Sequence, residues 1–193
     1  MTRSKSLLAI PGAGKLNDMK LEIPELLYHG SYYDFGDFDD RFRRSNTGWE
    51  NTIHGFFVAD KVEDALLFGP RVYSATVSIN KPLDLRIQGI FSTLEQAPVI
   101  CEIAFDRTLR PRAALSLLNR EIGLGEIADL YDALNSQEAN DLFKKAGYDG
   151  IVSSLGDHQN EYIAFRAEQI KILQVLDYRE ERHLNEVHSR RRS

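Results

Sequence analysis

The stretch that best indicates the fold is VYSATVSIN, residues 72–80. Its apolar side chains, at positions 73, 75, 77 and 79, alternate with small hydroxyl-bearing residues at positions 74, 76 and 78. A period of two is typical of a strand that has one buried face and one polar face. The stretch therefore predicts a half-buried strand.

Shorter apolar segments on both sides of this stretch predict further strands. They are residues 26–29, 55–59, 151–153, 162–165 and 170–176. A short helix is predicted over residues 60–68, with Asp60 and Glu63 as a capping box and Gly69-Pro70 as its end. Residues 36–54 are polar, charged and aromatic without a clear period, which predicts a long loop.

Residues 88 to about 146 have a helical pattern. Residues 112–119 and 127–134 carry apolar side chains at three- and four-residue spacing, and residues 138–146 add another helical stretch. The mixed order predicts an α+β fold with two small, mostly antiparallel sheets and a helical insertion over about 88–146.

Composition predicts one folded domain with charged ends. The chain has 193 residues, of which 42% are hydrophobic, which suits a single domain over residues 20–178. Residues 1–19 read as a flexible N-terminal segment, and residues 179–193 as a charged C-terminal tail. No apolar run approaches the roughly 20 residues of a membrane span, so we expect no membrane partner. Cytoplasmic localisation is the default expectation, although delivery by a leaderless route would leave no mark in the sequence.

Charge and cysteine usage exclude several classes of site. Net charge is −5, whereas a non-specific nucleic-acid binder is normally basic. Cys101 is the only cysteine, and the five histidines lack the i, i+4 spacing of a helical metal site. We therefore expect no metal ion, and the charge disfavours a nucleic-acid partner without deciding the matter.

Three short motifs follow one another on predicted strands. They are YHGS at residues 28–31, GFFVA at residues 55–59 and NEYI at residues 160–163. In this order, and together with GYDGI at residues 147–151, they resemble ADP-ribosyltransferases of the diphtheria-toxin and poly(ADP-ribose) polymerase type. The chain is most similar to small bacterial and phage members of that superfamily, and the matches span residues 27–176. The resemblance implies a split antiparallel sheet that encloses an NAD cleft.

The resemblance also implies how NAD would be held. His29 would bond a hydroxyl of the adenine-side ribose, Gly30 would offer its backbone to the nicotinamide carboxamide, and Ser31 would add a hydroxyl contact. Phe57 and Phe68, eleven residues apart, would hold the flat cationic nicotinamide between aromatic faces.

Two of these positions depart from the family pattern. Phe57 replaces the usual tyrosine, and Ala65 stands where the polymerases have a serine. Ala59, which ends the strand motif that contains Phe57, is also expected to line the NAD site. Help with NAD is expected from the loop over residues 36–54. Arg43 or Arg44 would face the pyrophosphate, with Trp49 and His54 as other candidates.

Glu161 is the predicted catalytic residue. NAD cleavage separates nicotinamide from ribose through an oxocarbenium-like transition state. A carboxylate beside that ribose can stabilise the developing positive charge and can accept the proton of the attacking group. A glutamate so close to an apolar strand is unusual for a segment that only packs.

The expected activity is mono-ADP-ribosyl transfer from NAD, as co-substrate, to a macromolecule, with release of nicotinamide. The acceptor, protein or nucleic acid, is left open. Relatives of this kind imply a toxin, effector or phage-defence factor with an antitoxin or immunity protein as partner. Two alternatives remain: an NAD glycohydrolase that uses water at the same site, and a catalytically silent module that binds NAD, ADP-ribose or a protein.

Overall fold

One β-sheet organises the part of the chain that the computed structural model describes, residues 21–43, 50–156 and 159–179. Its strands are β1 (Leu27–Ser31), β2 (Phe56–Ala59), β3 (Arg71–Val77), β4 (Pro82–Asp84), β5 (Gly150–Gly156), β6 (Gln159–Ala164) and β7 (Ile170–Asp177). They lie in the order β4-β5-β6-β2-β1-β3-β7, and only β4 and β5 run parallel to each other. The predicted α+β fold with a mostly antiparallel sheet is confirmed.

The sheet is split between β1 and β2. These two strands share a single residue pair, Tyr28 with Ala59. By contrast, β1 pairs with β3 along its whole length, and so does β2 with β6. The two predicted small sheets are therefore two halves of one sheet, joined at one residue pair and separated beyond it.

Six helices accompany the sheet in the described residues. They are α1 (Val62–Ala65), α2 (Ile87–Ser92), α3 (Ala97–Phe105), α4 (Pro111–Glu121), α5 (Ile127–Leu134) and α6 (Gln137–Lys145). Helices α2 to α6 all lie between β4 and β5 in the chain. Because two neighbouring parallel strands need a long crossover connection, this pairing explains why the helices concentrate there.

The helical crossover covers one face of the sheet. The largest apolar cluster joins side chains of α2 to α6 to Ile151, Ile163 and Phe165. Two smaller clusters cover the opposite face, one around Leu27 and Val58 and the other around Phe56 and Ala75. Neighbours along a strand therefore pack on opposite sides, as the period of two requires.

Two short elements differ from the sequence prediction. The helix expected over residues 60–68 is regular only over Val62–Ala65, and its N-cap is Lys61, which makes no side-chain cap hydrogen bond. Asp60 is not the cap; its carboxylate accepts a hydrogen bond from Asn160 Nδ2 at 3.3 Å. Strand β4, of three residues, is too short to show a period and was not predicted from the sequence.

The predicted N-terminal segment, residues 1–19, and residues 180–193 of the predicted tail lie outside the described residues. The predicted loop over residues 36–54 contains two 3₁₀ turns, Asp40–Phe42 and Glu50–Ile53. No helix within the described ranges is long and apolar enough to cross a membrane.

Candidate active site

A cleft of about 680 Å³ opens where the two halves of the sheet separate. Apart from His54, the predicted site residues within the described part of the chain line it: His29, Gly30, Ser31, Arg43, Phe57, Ala59, Ala65, Phe68 and Glu161. Arg44 and Trp49 lie outside the described residues. The split brings together residues that are up to 132 positions apart, because β1, β2 and β6 are neighbours in the sheet.

His29 bridges the two halves of the sheet beyond their last residue pair. Its Nδ1 lies 2.7 Å from the carbonyl oxygen of Phe57 and donates a hydrogen bond to it. Burial lowers the pKa of His29, and the bond to the Phe57 carbonyl offsets this only in part. The imidazole is therefore neutral near pH 7, and its Nε2 has a lone pair that can accept a hydrogen bond.

An aromatic wall, formed by Phe35, Phe38 and Tyr73, stands next to His29. The Phe38 ring meets the imidazole edge-on at 5.0 Å, and Phe35 stacks on Tyr73 with ring centroids 4.1 Å apart. The Tyr73 hydroxyl accepts a hydrogen bond from the Phe35 backbone N–H and donates one to the Tyr33 carbonyl, both at 3.0 Å. This wall was not predicted from the sequence, although the density of aromatic residues over 32–42 could have indicated it.

Phe57 and Phe68 approach the cleft from different elements. Phe57 lies on β2, is half-buried and also packs against the helical core cluster. Phe68 follows α1, where its backbone N–H donates to the Ala65 carbonyl at 3.0 Å. It too is half-buried and belongs to none of the core clusters of the described residues. Both rings can therefore present part of their surface to a ligand.

Gly30 is required by the contact between β1 and α1. A Cβ atom on Gly30 would lie 1.7 Å from the carbonyl oxygen of Ala65, which leaves no room for a side chain. The close approach that glycine permits here is thus to the helix backbone. Ser31 is buried, and its Oγ accepts a hydrogen bond from the Tyr33 N–H at 3.0 Å, which fixes the start of the aromatic loop.

Glu161 lies on β6, opposite Ala59 of β2 and Ser153 of β5. Its side chain is 5% exposed, and its Oε1 accepts a hydrogen bond from the Ser153 hydroxyl. Burial raises the pKa of Glu161, and the bond from Ser153 acts in the opposite direction. The result is a largely desolvated carboxylate at the wall of the cleft, an environment in which electrostatic effects on a ligand are strong.

Arg43 is bonded within the protein. Its guanidinium donates to the Phe165 carbonyl and forms an ion pair with Asp40 at 3.1 Å. These contacts attach the loop after β1 to the end of β6. Its predicted contact with a pyrophosphate stays a prediction, and such a contact would have to compete with these partners.

His54 lies away from the cleft, in the helical core. It is fully buried, its Nε2 lies 3.0 Å from the Leu134 carbonyl, and its Nδ1 lies 3.0 Å from Asn140 Nδ2. Burial lowers its pKa to about 4, so the ring is neutral near pH 7. Both ring nitrogens have partners in the core, which is typical of a structural histidine.

No group of three or more histidine, cysteine, aspartate or glutamate side chains that could hold a metal ion occurs among the residues that the structure describes.

The sequence profile described as ADP-ribosyltransferase in polyvalent proteins matches residues 23–175. No curated protein sequence matches the chain.

Two solved structures have a similar arrangement. One is described as an anti-CRISPR protein, with 17% identity, a TM-score of 0.42, and coverage of 77% of this chain and 94% of that chain. The other is the M. tuberculosis MbcT-MbcA toxin-antitoxin complex, with 12% identity, a TM-score of 0.41, and coverage of 79% and 81%.

Proposed function

The chain belongs to the family of ADP-ribosyltransferases in polyvalent proteins, and from this premise we propose that it cleaves NAD at Glu161, releases nicotinamide and transfers one ADP-ribose to a macromolecule. The observation that carries the proposal is the cleft at the split of the sheet. It collects His29, Phe57, Phe68 and a buried Glu161 around one space.

The residues of the cleft fit a dinucleotide with a flat cationic end. A volume of about 680 Å³ lies within the range of roughly 300–1,000 Å³ that is usual for small-molecule and cofactor sites. Phe57 and Phe68 offer aromatic surface to a cationic nicotinamide ring. His29 Nε2 is an acceptor for a ribose hydroxyl, since Nδ1 already donates to the Phe57 carbonyl.

Glu161 supplies the chemistry in this proposal. Positive charge develops on the nicotinamide-side ribose as its bond to nicotinamide breaks. A desolvated carboxylate next to that ribose stabilises the charge more strongly than a solvated one does. The same carboxylate can accept a proton from the attacking acceptor. Ser153 is a positioning residue, because its hydroxyl holds the carboxylate from the side of β5.

The test is a comparison of Glu161→Gln with the wild type and with Glu168→Gln, a control in which the carboxylate is exposed and pairs with Arg166. Labelled NAD is added, and both nicotinamide release and label on macromolecules are followed. We expect Glu161→Gln to lose activity by about 10²–10⁴-fold. It should still bind NAD in calorimetry, because the shape of the side chain is kept. The control should match the wild type.

Each alternative activity has its own outcome in this experiment. Nicotinamide release by the wild type without any labelled macromolecule would indicate a glycohydrolase. NAD binding without nicotinamide release would indicate a silent binding module. Turnover that is unchanged in Glu161→Gln would remove Glu161 from the mechanism. A toxin or effector role, an antitoxin or immunity partner and cytoplasmic localisation stay predictions of the sequence resemblance.

A further inference from the structure

A second cavity, of about 260 Å³, lies on the helical side of Glu161. The residues that line it are Leu85, Tyr131, Asn135, Ile151, Ser153, Ser154, Glu161 and Ile163. Glu161 and Ser154 line the larger cleft as well. The catalytic carboxylate of the proposed reaction therefore stands between two spaces, and the proposed NAD site uses only one of them.

The helical crossover supplies the outer wall of this second cavity. Tyr131 lies in α5, and its hydroxyl donates to the Leu85 carbonyl at 2.9 Å, which fixes its ring. Asn135 is the C-cap residue of α5, and its side chain also bonds to His54. Ser153 forms part of the inner wall and donates to Glu161. Polar residues of both the helical crossover and the sheet thus line the cavity together with Glu161.

The charge that the described residues bring to the second cavity is negative. Glu161 is the one ionisable carboxyl group among the described residues that line it. A carboxylate or a phosphate that enters this space would therefore meet a like charge in Glu161. A neutral or cationic group that donates hydrogen bonds would find acceptors in Glu161 and in the Asn135 amide.

The volume of the second cavity and the net charge of the chain favour a protein side chain over a nucleic acid as the acceptor. A volume of about 260 Å³ exceeds the roughly 150 Å³ of an engineered cavity that admits a benzene molecule, which suits a single side chain. A nucleic-acid acceptor depends on cations that neutralise its phosphates. The chain has a net charge of −5, and the second cavity has no cation along its wall in the described residues.

We propose that the acceptor is a protein whose reacting side chain is neutral or cationic and enters this second cavity, where Asn135 and Tyr131 of the helical crossover select it. This inference rests on the proposed ADP-ribosyl transfer. In the step, a nitrogen or oxygen of the side chain forms a bond to the anomeric carbon of the nicotinamide-side ribose. The carbon–nitrogen bond to nicotinamide breaks, its electron pair leaves with nicotinamide, and the proton of the acceptor passes to Glu161.

The test uses Asn135→Leu, which removes the amide but keeps a similar size. The matched control is Asp132→Leu on the exposed side of the same helix. Purified enzyme is incubated with labelled NAD and a cell lysate, and label is measured separately in the protein and nucleic-acid fractions. We expect label on protein to fall about tenfold or more in Asn135→Leu. The Kd for NAD should stay within about twofold, because Asn135 does not line the larger cleft.

The chemical bond to the acceptor gives a second readout. Neutral hydroxylamine rapidly cleaves the ester that a carboxylate acceptor would form, whereas bonds to nitrogen or to a hydroxyl oxygen are cleaved slowly or not at all. Most of the label should therefore survive a brief treatment. Since Asn135 also supports His54, melting curves accompany each variant. If Asn135→Leu fails to fold, Tyr131→Trp replaces it in the experiment, because the larger ring narrows the cavity without removing Asn135. We expect the same fall in label on protein.

The outcomes separate this inference from the proposed function. Absence of nicotinamide release by the wild type would overturn the proposed function and the inference with it. Nicotinamide release without any label on macromolecules would overturn the transfer step and, again, the inference. Label that hydroxylamine removes as rapidly as an ester, that is confined to nucleic acid, or that is undiminished in both folded variants would overturn the inference alone.

Discussion

The chain contains two His-Gly pairs that differ in what they do. His29-Gly30 lies in β1, and His54-Gly55 comes just before β2. Both glycines pack against a backbone carbonyl: a Cβ would lie 1.7 Å from the Ala65 oxygen at Gly30 and 1.9 Å from the Ala164 oxygen at Gly55. The dipeptides are thus alike in backbone packing, and both glycines line the cleft, yet of the two histidines only His29 does so.

Hydrogen bonding separates the two histidines. His54 uses both ring nitrogens within the core, with Nε2 on the Leu134 carbonyl and Nδ1 on the Asn140 amide. His29 uses Nδ1 on the Phe57 carbonyl, and its Nε2 has no hydrogen-bond partner within the described ranges. His29 thus differs from His54 in having a ring nitrogen beside the cleft that can accept a hydrogen bond from a ligand, and the dipeptide itself does not reveal this difference.

The largest expected effect is on stability, from His54→Ala. This variant leaves a cavity and deprives the Asn140 amide and the Leu134 carbonyl of their partner. We expect the free energy of unfolding to fall by about 3–5 kcal/mol. His29→Ala, at the edge of the cleft, should lose less than about 1.5 kcal/mol. Urea unfolding of both variants measures the difference. Equal losses of unfolding free energy would show that the two rings contribute equally to stability.

The pH dependence of stability tests the buried state of His54. Its pKa is lowered to about 4 in the folded chain from the ordinary 6.5, so the unfolded chain binds more protons between these two values. Stability is therefore complete above about pH 6.5 and falls as the pH drops towards 4, by about 3 kcal/mol in total. Unfolding at several pH values should show this slope in the wild type and a smaller one in His54→Gln, since Gln cannot titrate while His29, whose pKa burial also lowers, still contributes. A slope of the same size in both proteins would contradict the assignment.

Sequence patterns predicted the cleft better than they predicted the core. The motifs at residues 28–31, 55–59 and 160–163 are local, and the strands that carry them were visible in the sequence. The resemblance to a known family, and not the strands alone, placed His29, Phe57 and Glu161 at one site, and the sheet order makes β1, β2 and β6 neighbours. The role of His54 was not visible, because it depends on Asn140, which lies 86 positions further along the chain.

The aromatic wall and strand β4 were missed for different reasons. Phe35 and Phe38 lie in a loop without a period, and the partner that orders Phe35 is Tyr73 on β3, a residue that alternation alone describes as core. Strand β4 is three residues long and pairs with β5 across the whole helical crossover. Neither feature leaves a local pattern, because both depend on contacts between distant parts of the chain.

Ligand binding should reverse the ranking of the two histidines. His29→Ala removes the proposed acceptor of a ribose hydroxyl, and we expect the Kd for NAD to rise about tenfold, which corresponds to a lost hydrogen bond of about 1.4 kcal/mol. His54→Gln, measured by calorimetry at a temperature where it is folded, should bind NAD like the wild type. An equal loss of affinity in both variants would mean that His29 contributes through the fold and not through contact with NAD.

The smallest expected effect concerns Glu161, which is buried like His54 but lies at the cleft like His29. Burial raises its pKa and the Ser153 hydroxyl lowers it, so Ser153→Ala leaves the effect of burial unopposed and raises the pKa further. Activity that needs the carboxylate is lost as the pH falls through this pKa. We therefore expect the acid limb of nicotinamide release to move to higher pH in Ser153→Ala, by less than about one unit. Ser92→Ala, whose hydroxyl bonds only within α2, should leave the limb in place. A shift to lower pH would show that Ser153 does not stabilise the carboxylate, and Glu161 would then resemble His54, a group whose titration is governed by burial.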